Sequence, residues 1–266
     1  IMYIGMITCN YFMRIYNYQT PENFSWPVMC AKYREEFKYD DFMKLADEIR
    51  KMGYTNLEIW EPTFSYKVYS EEQAVKLAED LKSMGFETLA YCIGGWGVND
   101  IPDIEAAYRF ARALGAKVVT GCILKDGYEK TLAEVERCCK KYDMLYAIEN
   151  HPEPNFEKPE DIRKAIDEFE CIGANLDTGI YNMQGYDVME AARLLRDKTY
   201  HVHFKDTVVG GEGCLPIGDG DAPLAELLRY LRDTDYQYMI SVEFEHHEDP
   251  APGLIKSMDY IKNALR

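Results

Sequence analysis

Short runs of apolar and β-branched residues alternate along this chain with longer stretches of helical period. The first run covers 3–9 (Tyr3-Ile-Gly-Met-Ile-Thr-Cys9) and reads as a strand. Phe42, Leu45, Ala46, Ile49 and Met52 then recur at helical spacing, with Asp40-Asp41 at the cap and Gly53 at the stop. The same alternation gives a strand over 56–60, then a capping box of Ser70 and Gln73 that opens the stripe Ala74, Leu77, Ala78, Leu81, Met84. Strands over 88–92 and 117–123 follow, separated by the stripe Ile104, Ala107, Tyr108, Ala111, Leu114. In the second half, runs reaching Glu149, Asp177, His203 and Glu243 alternate with stripes that begin near Ile162, Val188, Leu224 and Leu254. About eight β–α units with no break in composition predict an α/β chain, residues 1–266, folded as a single (β/α)8 TIM barrel. A doubly wound open sheet is the alternative. It lacks the Gly-rich dinucleotide turn after the first strand.

The net charge of -16 argues against a phosphate-backbone partner, so no nucleic acid is expected. The eight cysteines form no C-x-x-C pair and read as reduced thiols, which implies a cytoplasmic location. Asn10, Arg14 and Asn17 interrupt any signal-like apolar run, and no stretch approaches the roughly 20 apolar residues of a membrane span.

The chemistry sits at four predicted strand ends. Tyr146-Ala-Ile-Glu149-Asn-His151, Ala174-Asn-Leu-Asp177-Thr-Gly, Tyr200-His-Val-His203-Phe-Lys205-Asp206 and Ile240-Ser-Val-Glu243-Phe-Glu245 each bring an acid or a histidine to the C-terminal end. Side chains alternate along a strand, so Glu149, Asp177, His203 and Glu243 share a face with Ala147, Asn175, His201 and Ser241, while Ile148, Leu176, Val202 and Phe244 point the other way. One imidazole and three carboxylates suit a single divalent metal, which would offset their mutual repulsion.

These motifs, with the glycine turn Ile217-Gly-Asp-Gly220, resemble the xylose isomerase-like TIM barrel superfamily, in its sugar phosphate isomerase/epimerase branch. The resemblance spans essentially the whole chain. It implies that Glu149, Asp177, His203 and Glu243 ligate a divalent ion, with Mn2+ expected and Mg2+, Co2+ or Zn2+ as alternatives. It also implies that Glu149 and Glu243 exchange a proton with a carbohydrate substrate next to its carbonyl, through a metal-stabilised enediolate. The expected activity is that of a sugar isomerase or epimerase. A lyase or dehydratase acting on a keto sugar, oxidised glycoside or keto acid is the alternative, and a non-catalytic sugar-binding barrel is a third reading. Two departures bear on the substrate. Ile180 stands where many relatives carry histidine, and Thr207-Val-Val-Gly-Gly lacks the arginine that ketose epimerases place after the seventh strand. The apurinic-site endonucleases that share this fold need early histidines, whereas all five here lie at or beyond His151.

Around this centre, His151, Lys205, Glu58 and Trp96 are the expected substrate contacts. His151 is a titratable group beside Glu149. Lys205 would neutralise a developing oxyanion, or else pair with Asp206 or Glu243. Glu58 would bind a sugar hydroxyl, or form a salt bridge. Trp96, in a Gly-rich stretch, would stack on a sugar face or cap the core. The aromatic segment 10–39 is long for a barrel loop and suits a lid over the mouth or the interface of a homo-oligomer.

Overall fold

In the computed structural model, which describes residues 2–266, the apolar stripes lie against the outside of a closed sheet. The strands are β1 (Tyr3–Ile7), β2 (Asn56–Trp60), β3 (Thr88–Trp96), β4 (Val118–Ile123), β5 (Leu145–Glu149), β6 (Ile172–Asp177), β7 (Thr199–Phe204) and β8 (Met239–Val242). They pair in parallel in chain order, and β8 closes on β1 from Tyr3↔Met239 to Met6↔Val242. This is the expected (β/α)8 barrel, with helices between the strands.

The helices are α1 (Trp26–Glu36), α2 (Tyr39–Lys51), α3 (Glu71–Ser83), α4 (Ile101–Ala113), α5 (Tyr128–Tyr142), α6 (Pro159–Ile166), α7 (Thr178–Met183), α8 (Val188–Leu194), α9 (Leu224–Asp233) and α10 (Ala251–Ala264). The capping box that opens α3 is formed: Gln73 N–H donates to Ser70 Oγ at 3.3 Å, and Ser70 N–H to Gln73 Oε1 at 2.9 Å. Two helices have no counterpart in the apolar pattern. α1 buries only Met29 and Tyr33, a pair four residues apart that makes no stripe. α7 is too short to show a period and starts directly on the side chain of Asp177.

A register shift between Cys92 and Gly95 changes the parity of β3. It turns Trp96 outward, where its ring stacks on Tyr108 of α4 at 6.0 Å and on Tyr146 of β5 at 5.5 Å. Trp96 is therefore buried in the core, the second of the two places expected for it, because β3 continues past the expected end at Cys92 and the bulge turns its last residue outward. No helix among the described residues is long and apolar enough to cross a membrane.

Candidate metal centre

Glu149 and Asp177 are the last residues of β5 and β6, His203 lies near the end of β7, and Glu243 directly follows β8. All are buried, and one ligand atom from each lies within 4.8 Å of the others. His203 Nδ1 is 3.1 Å from Glu243 Oε2 and 3.5 Å from Glu149 Oε1.

Amide side chains hold these strand ends in place. Asn150 brackets Asp177, accepting from its N–H at 2.8 Å and donating to its carbonyl at 3.1 Å. Asn10 does the same around Glu243, donating to the Val242 carbonyl at 3.0 Å and accepting from Phe244 N–H at 2.6 Å. Asn175 Oδ1 accepts from His203 N–H at 3.0 Å. Asn150 and Asn10 each supply both donor and acceptor to backbone at a strand end, and Asn175 supplies an acceptor alone, so the side chains that face the centre are aimed by fixed main chain. Asp177 is oriented once more by its own helix: Oδ1 caps α7 by accepting from Ile180 N–H at 2.8 Å, which leaves Oδ2 turned to the centre. The residue at 180 thus contributes its backbone to the site.

Glu58 is not a sugar contact. It is fully buried beneath the centre, where Oε2 meets His201 Nε2 at 2.9 Å and His203 Nε2 at 3.1 Å, and Oε1 accepts from Thr120 Oγ1 at 2.6 Å. Burial opposes its charge, but the two imidazoles outweigh burial and hold Glu58 well below the usual carboxylate range. An ionised Glu58 only accepts hydrogen bonds, so it keeps the proton of His203 on Nε2 and frees Nδ1 as a metal donor. If the centre takes a divalent ion, Glu58→Gln is accordingly expected to weaken its binding about 10- to 100-fold with the fold retained, as read by metal titration and circular dichroism.

Lys205 is buried at the rim of the centre. Its Nζ lies 2.9 Å from Glu243 Oε2, 3.0 Å from Asp177 Oδ2 and 3.4 Å from Glu245 Oε2. Burial works against the ammonium, and the three carboxylates more than reverse that, raising Lys205 well above its ordinary value. Glu243 is likewise disfavoured by burial yet held down at about 2 by Lys205 and His203. Asp177 goes the other way. Burial raises it, Glu243 and Glu149 add to the rise, and Lys205 only partly offsets them, leaving it at about 6. The ion pair at 3.0 Å and the raised Asp177 are compatible because complete burial acts on the carboxylate more strongly than one shared ammonium does.

The donors fit a divalent cation. Asp177 Oδ2, His203 Nδ1 and Glu243 Oε2 are buried atoms without a hydrogen-bond partner, although charged groups lie near them. One nitrogen and three carboxylate oxygens match a hard or borderline ion.

Above the centre, the mouth opens into two lobes of about 390 and 480 Å3 that share Trp26, Glu149, His151, Glu243 and Glu245. His151 thus faces both lobes, as does Glu245, which lies on the Glu243 face and was not singled out from the sequence. Trp26, at the start of α1, stacks on Phe12 at 4.9 Å. Segment 10–39 thus brings two aromatic rings, Phe12 and Trp26, to the lining of the mouth. Among the described residues, Lys205 is the only lysine or arginine that lines either lobe.

The sequence profile of the xylose isomerase-like TIM barrel family matches residues 46–264. The chain belongs to that family. No curated protein matches it by sequence. Among solved structures, L-ribulose 3-epimerase superposes with a TM-score of 0.76 at 14% identity, covering 100% of this chain and 95% of that one. The 3-keto-D-glucoside 4-epimerase YcjR from E. coli gives 0.64 at 18% identity, covering 99% of this chain and 100% of that one. The probable 3-DHS dehydratase AsbF from Bacillus anthracis gives 0.72 at 15% identity and 99% coverage of both chains. At such identities the likeness is one of fold. Within this xylose isomerase-like barrel the four predicted ligands converge, Lys205 and His151 reach the cavity, Glu58 supports from below, and Trp96 lies outside.

Proposed function

We propose that this protein is a divalent-metal-dependent isomerase or epimerase of an unphosphorylated sugar or sugar derivative, working by proton abstraction next to a carbonyl. The observation that carries the reading is the convergence of Glu149, Asp177, His203 and Glu243 on one point at the junction of two lobes. A divalent ion held by these four residues would polarise a substrate carbonyl and make the neighbouring C–H more acidic. Mn2+ is the ion we favour for this mixed imidazole–carboxylate set.

Glu149 and Glu243 approach from different strands, so one carboxylate can take the α proton while the other delivers a proton from another direction. Delivery to the same carbon inverts it, and delivery to the adjacent carbon isomerises the sugar. Lys205 and His203 keep Glu243 in the ionised form that a proton acceptor needs, while lowering its basicity. Phe12 and Trp26 restrict water over the reacting atoms. A phosphate would need cationic partners, and the one lysine present is already committed to three carboxylates. The test is a screen of free ketoses and keto-glycosides in D2O with added Mn2+. Deuterium at the α carbon of an isomer of unchanged composition supports the reading, and binding without exchange refutes it.

Elimination is the second reading. His151 faces both lobes beside Glu149 and could protonate a leaving group, and one structural neighbour is a dehydratase. Release of water or an aglycone in the same screen identifies it.

Metal binding must displace the proton held by Asp177 and that of His203, which its carboxylate neighbours raise well above the ordinary histidine value against the opposing effect of burial. The sign follows. A carboxyl raised in the folded state destabilises the metal-free fold as pH climbs from about 4 to 6, and bound metal reverses this. Mn2+ affinity is expected to fall about fivefold from pH 6 to pH 5 through Asp177 alone, with proton release visible when calorimetric titrations are compared in two buffers.

A further inference from the structure

The two lobes of the mouth differ in chemistry. The smaller adds Gln184 and His247 to the carboxylates that both lobes share, so it can answer the hydroxyls of a sugar. The larger, about 480 Å3, is built otherwise. Apart from the shared residues and His203, its lining is Ile7, Trp60, Gly94 and four thiols, Cys9, Cys30, Cys92 and Cys122. Half of the chain's eight cysteines thus face one lobe, all of them free. A thiol is a weak hydrogen-bond donor and behaves as a small, polarisable hydrophobe. Cys9 moreover already directs its S–H at Glu245 Oε1, at 3.6 Å. A sugar carries a hydroxyl on nearly every carbon. Placed in this lobe, those hydroxyls would leave water and meet mostly sulfur, which is unfavourable. An apolar group gains by the same move.

The walls suit a flat group. Trp26 and Trp60 stand at 90° to each other with ring centroids 6.4 Å apart, so they form a corner. A third ring can stack on one indole and turn its edge to the other. Trp26 keeps 41% of its surface exposed at the start of α1, and Cys30, one turn further along the same helix, is half-buried beside the lobe. A Cβ at Gly94 would meet nothing within 4 Å, so the β3 side of the lobe is open space. A cavity of about 150 Å3 is enough for benzene, and the lobe exceeds that severalfold.

We propose that the substrate is a two-part molecule, a keto sugar joined to an aromatic aglycone. The sugar lies over the converging carboxylates and in the smaller lobe, and the aromatic ring fills the larger lobe against Trp26 and Trp60. This rests on the proton-abstraction reading above, which puts the sugar carbonyl at the four converging residues. The bond to the aglycone stays intact. Its burial supplies binding energy remote from the reacting carbon. Trp26, Trp60 and Cys30 are thereby specificity residues for the aglycone.

The experiment titrates the purified protein, with Mn2+ present, with the phenyl, hexyl and methyl 3-keto-D-glucosides in a calorimeter, and follows deuterium uptake from D2O by the same compounds and by free ketoses. The phenyl compound is expected to bind at least about tenfold more tightly than the methyl compound, and more tightly than the hexyl one. Cys30→Phe, which fills the lobe, is expected to cut the phenyl-to-methyl affinity ratio about tenfold while keeping the wild-type circular dichroism. Equal affinity for phenyl and methyl overturns the proposal, and this comparison needs no variant to fold. Equal tightening by hexyl overturns the aromatic assignment, and an unchanged ratio in a folded Cys30→Phe overturns the placement in this lobe. Tighter binding of the phenyl compound with no exchange from any compound refutes proton abstraction and leaves the aromatic lobe. Exchange from free ketoses without binding of the phenyl glucoside does the reverse. Neither binding nor exchange overturns both.

Discussion

Glu149→Gln is expected to slow deuterium entry at the substrate's α carbon by about 10²- to 10⁴-fold, the range for loss of a positioned general base. Glutamine keeps the shape and one oxygen donor of Glu149 but cannot take up a proton at neutral pH. The variant must be assayed with Mn2+ at several concentrations, because Glu149 is also a proposed ligand. If excess Mn2+ restores exchange, the defect was in holding the ion. If exchange stays low with the ion bound, proton transfer was lost. Undiminished exchange at ordinary Mn2+ would remove Glu149 from both roles. Glu149 lies at the edge of the open mouth rather than in the packed wall, so the thermal midpoint should change little.

Lys205→Met should show the largest loss of stability among single changes near the site. Methionine preserves the apolar stem and removes the ammonium that lies within 3.4 Å of Asp177, Glu243 and Glu245. Breaking a buried pair from one side costs about 3–5 kcal/mol, on the order of 5–10 °C in the midpoint for a chain of this size. The deficit has a direction in pH. Without the ammonium, all three carboxyls bind protons more strongly in the folded state than in the unfolded one, so stability drops as pH rises. The variant should therefore lie closest to wild type near pH 5 and furthest from it near pH 8. Added Mn2+ should recover part of the loss, since a divalent ion opposes the same repulsion. A variant with the wild-type midpoint at pH 8 would show that the lysine carries no such burden.

The barrel was legible because both of its periods are strong. The stripes of α2 to α4 and the alternation in β5 to β8 are dictated by which face is buried, and burial leaves its mark in residue type. The convergence of Glu149, Asp177, His203 and Glu243 was legible for the same reason, since acids on the inner face of a strand contradict the apolar rule unless something compensates them. Features that depend on single backbone events were not legible. The β3 bulge that sends Trp96 outward leaves no trace beyond Gly94-Gly95, which also fits a loop. The support given by Glu58 requires knowing that β2 stands across the barrel interior from β7, a relation that no local spacing encodes. Asn10, Asn150 and Asn175 looked like ordinary strand-end asparagines, because an amide that bonds to backbone has no sequence partner to betray it. Helix α1 was hidden among aromatics that serve the mouth as well as the core.

The Asn10 bracket around Glu243 has a consequence for biogenesis. A residue just beyond the first strand secures the backbone on both sides of a donor just beyond the eighth. During synthesis the four donors cannot stand together until the sheet has come full circle. A cation held by all four would therefore be captured late, by a barrel already closed, rather than act as the seed around which an emerging polypeptide first collapses.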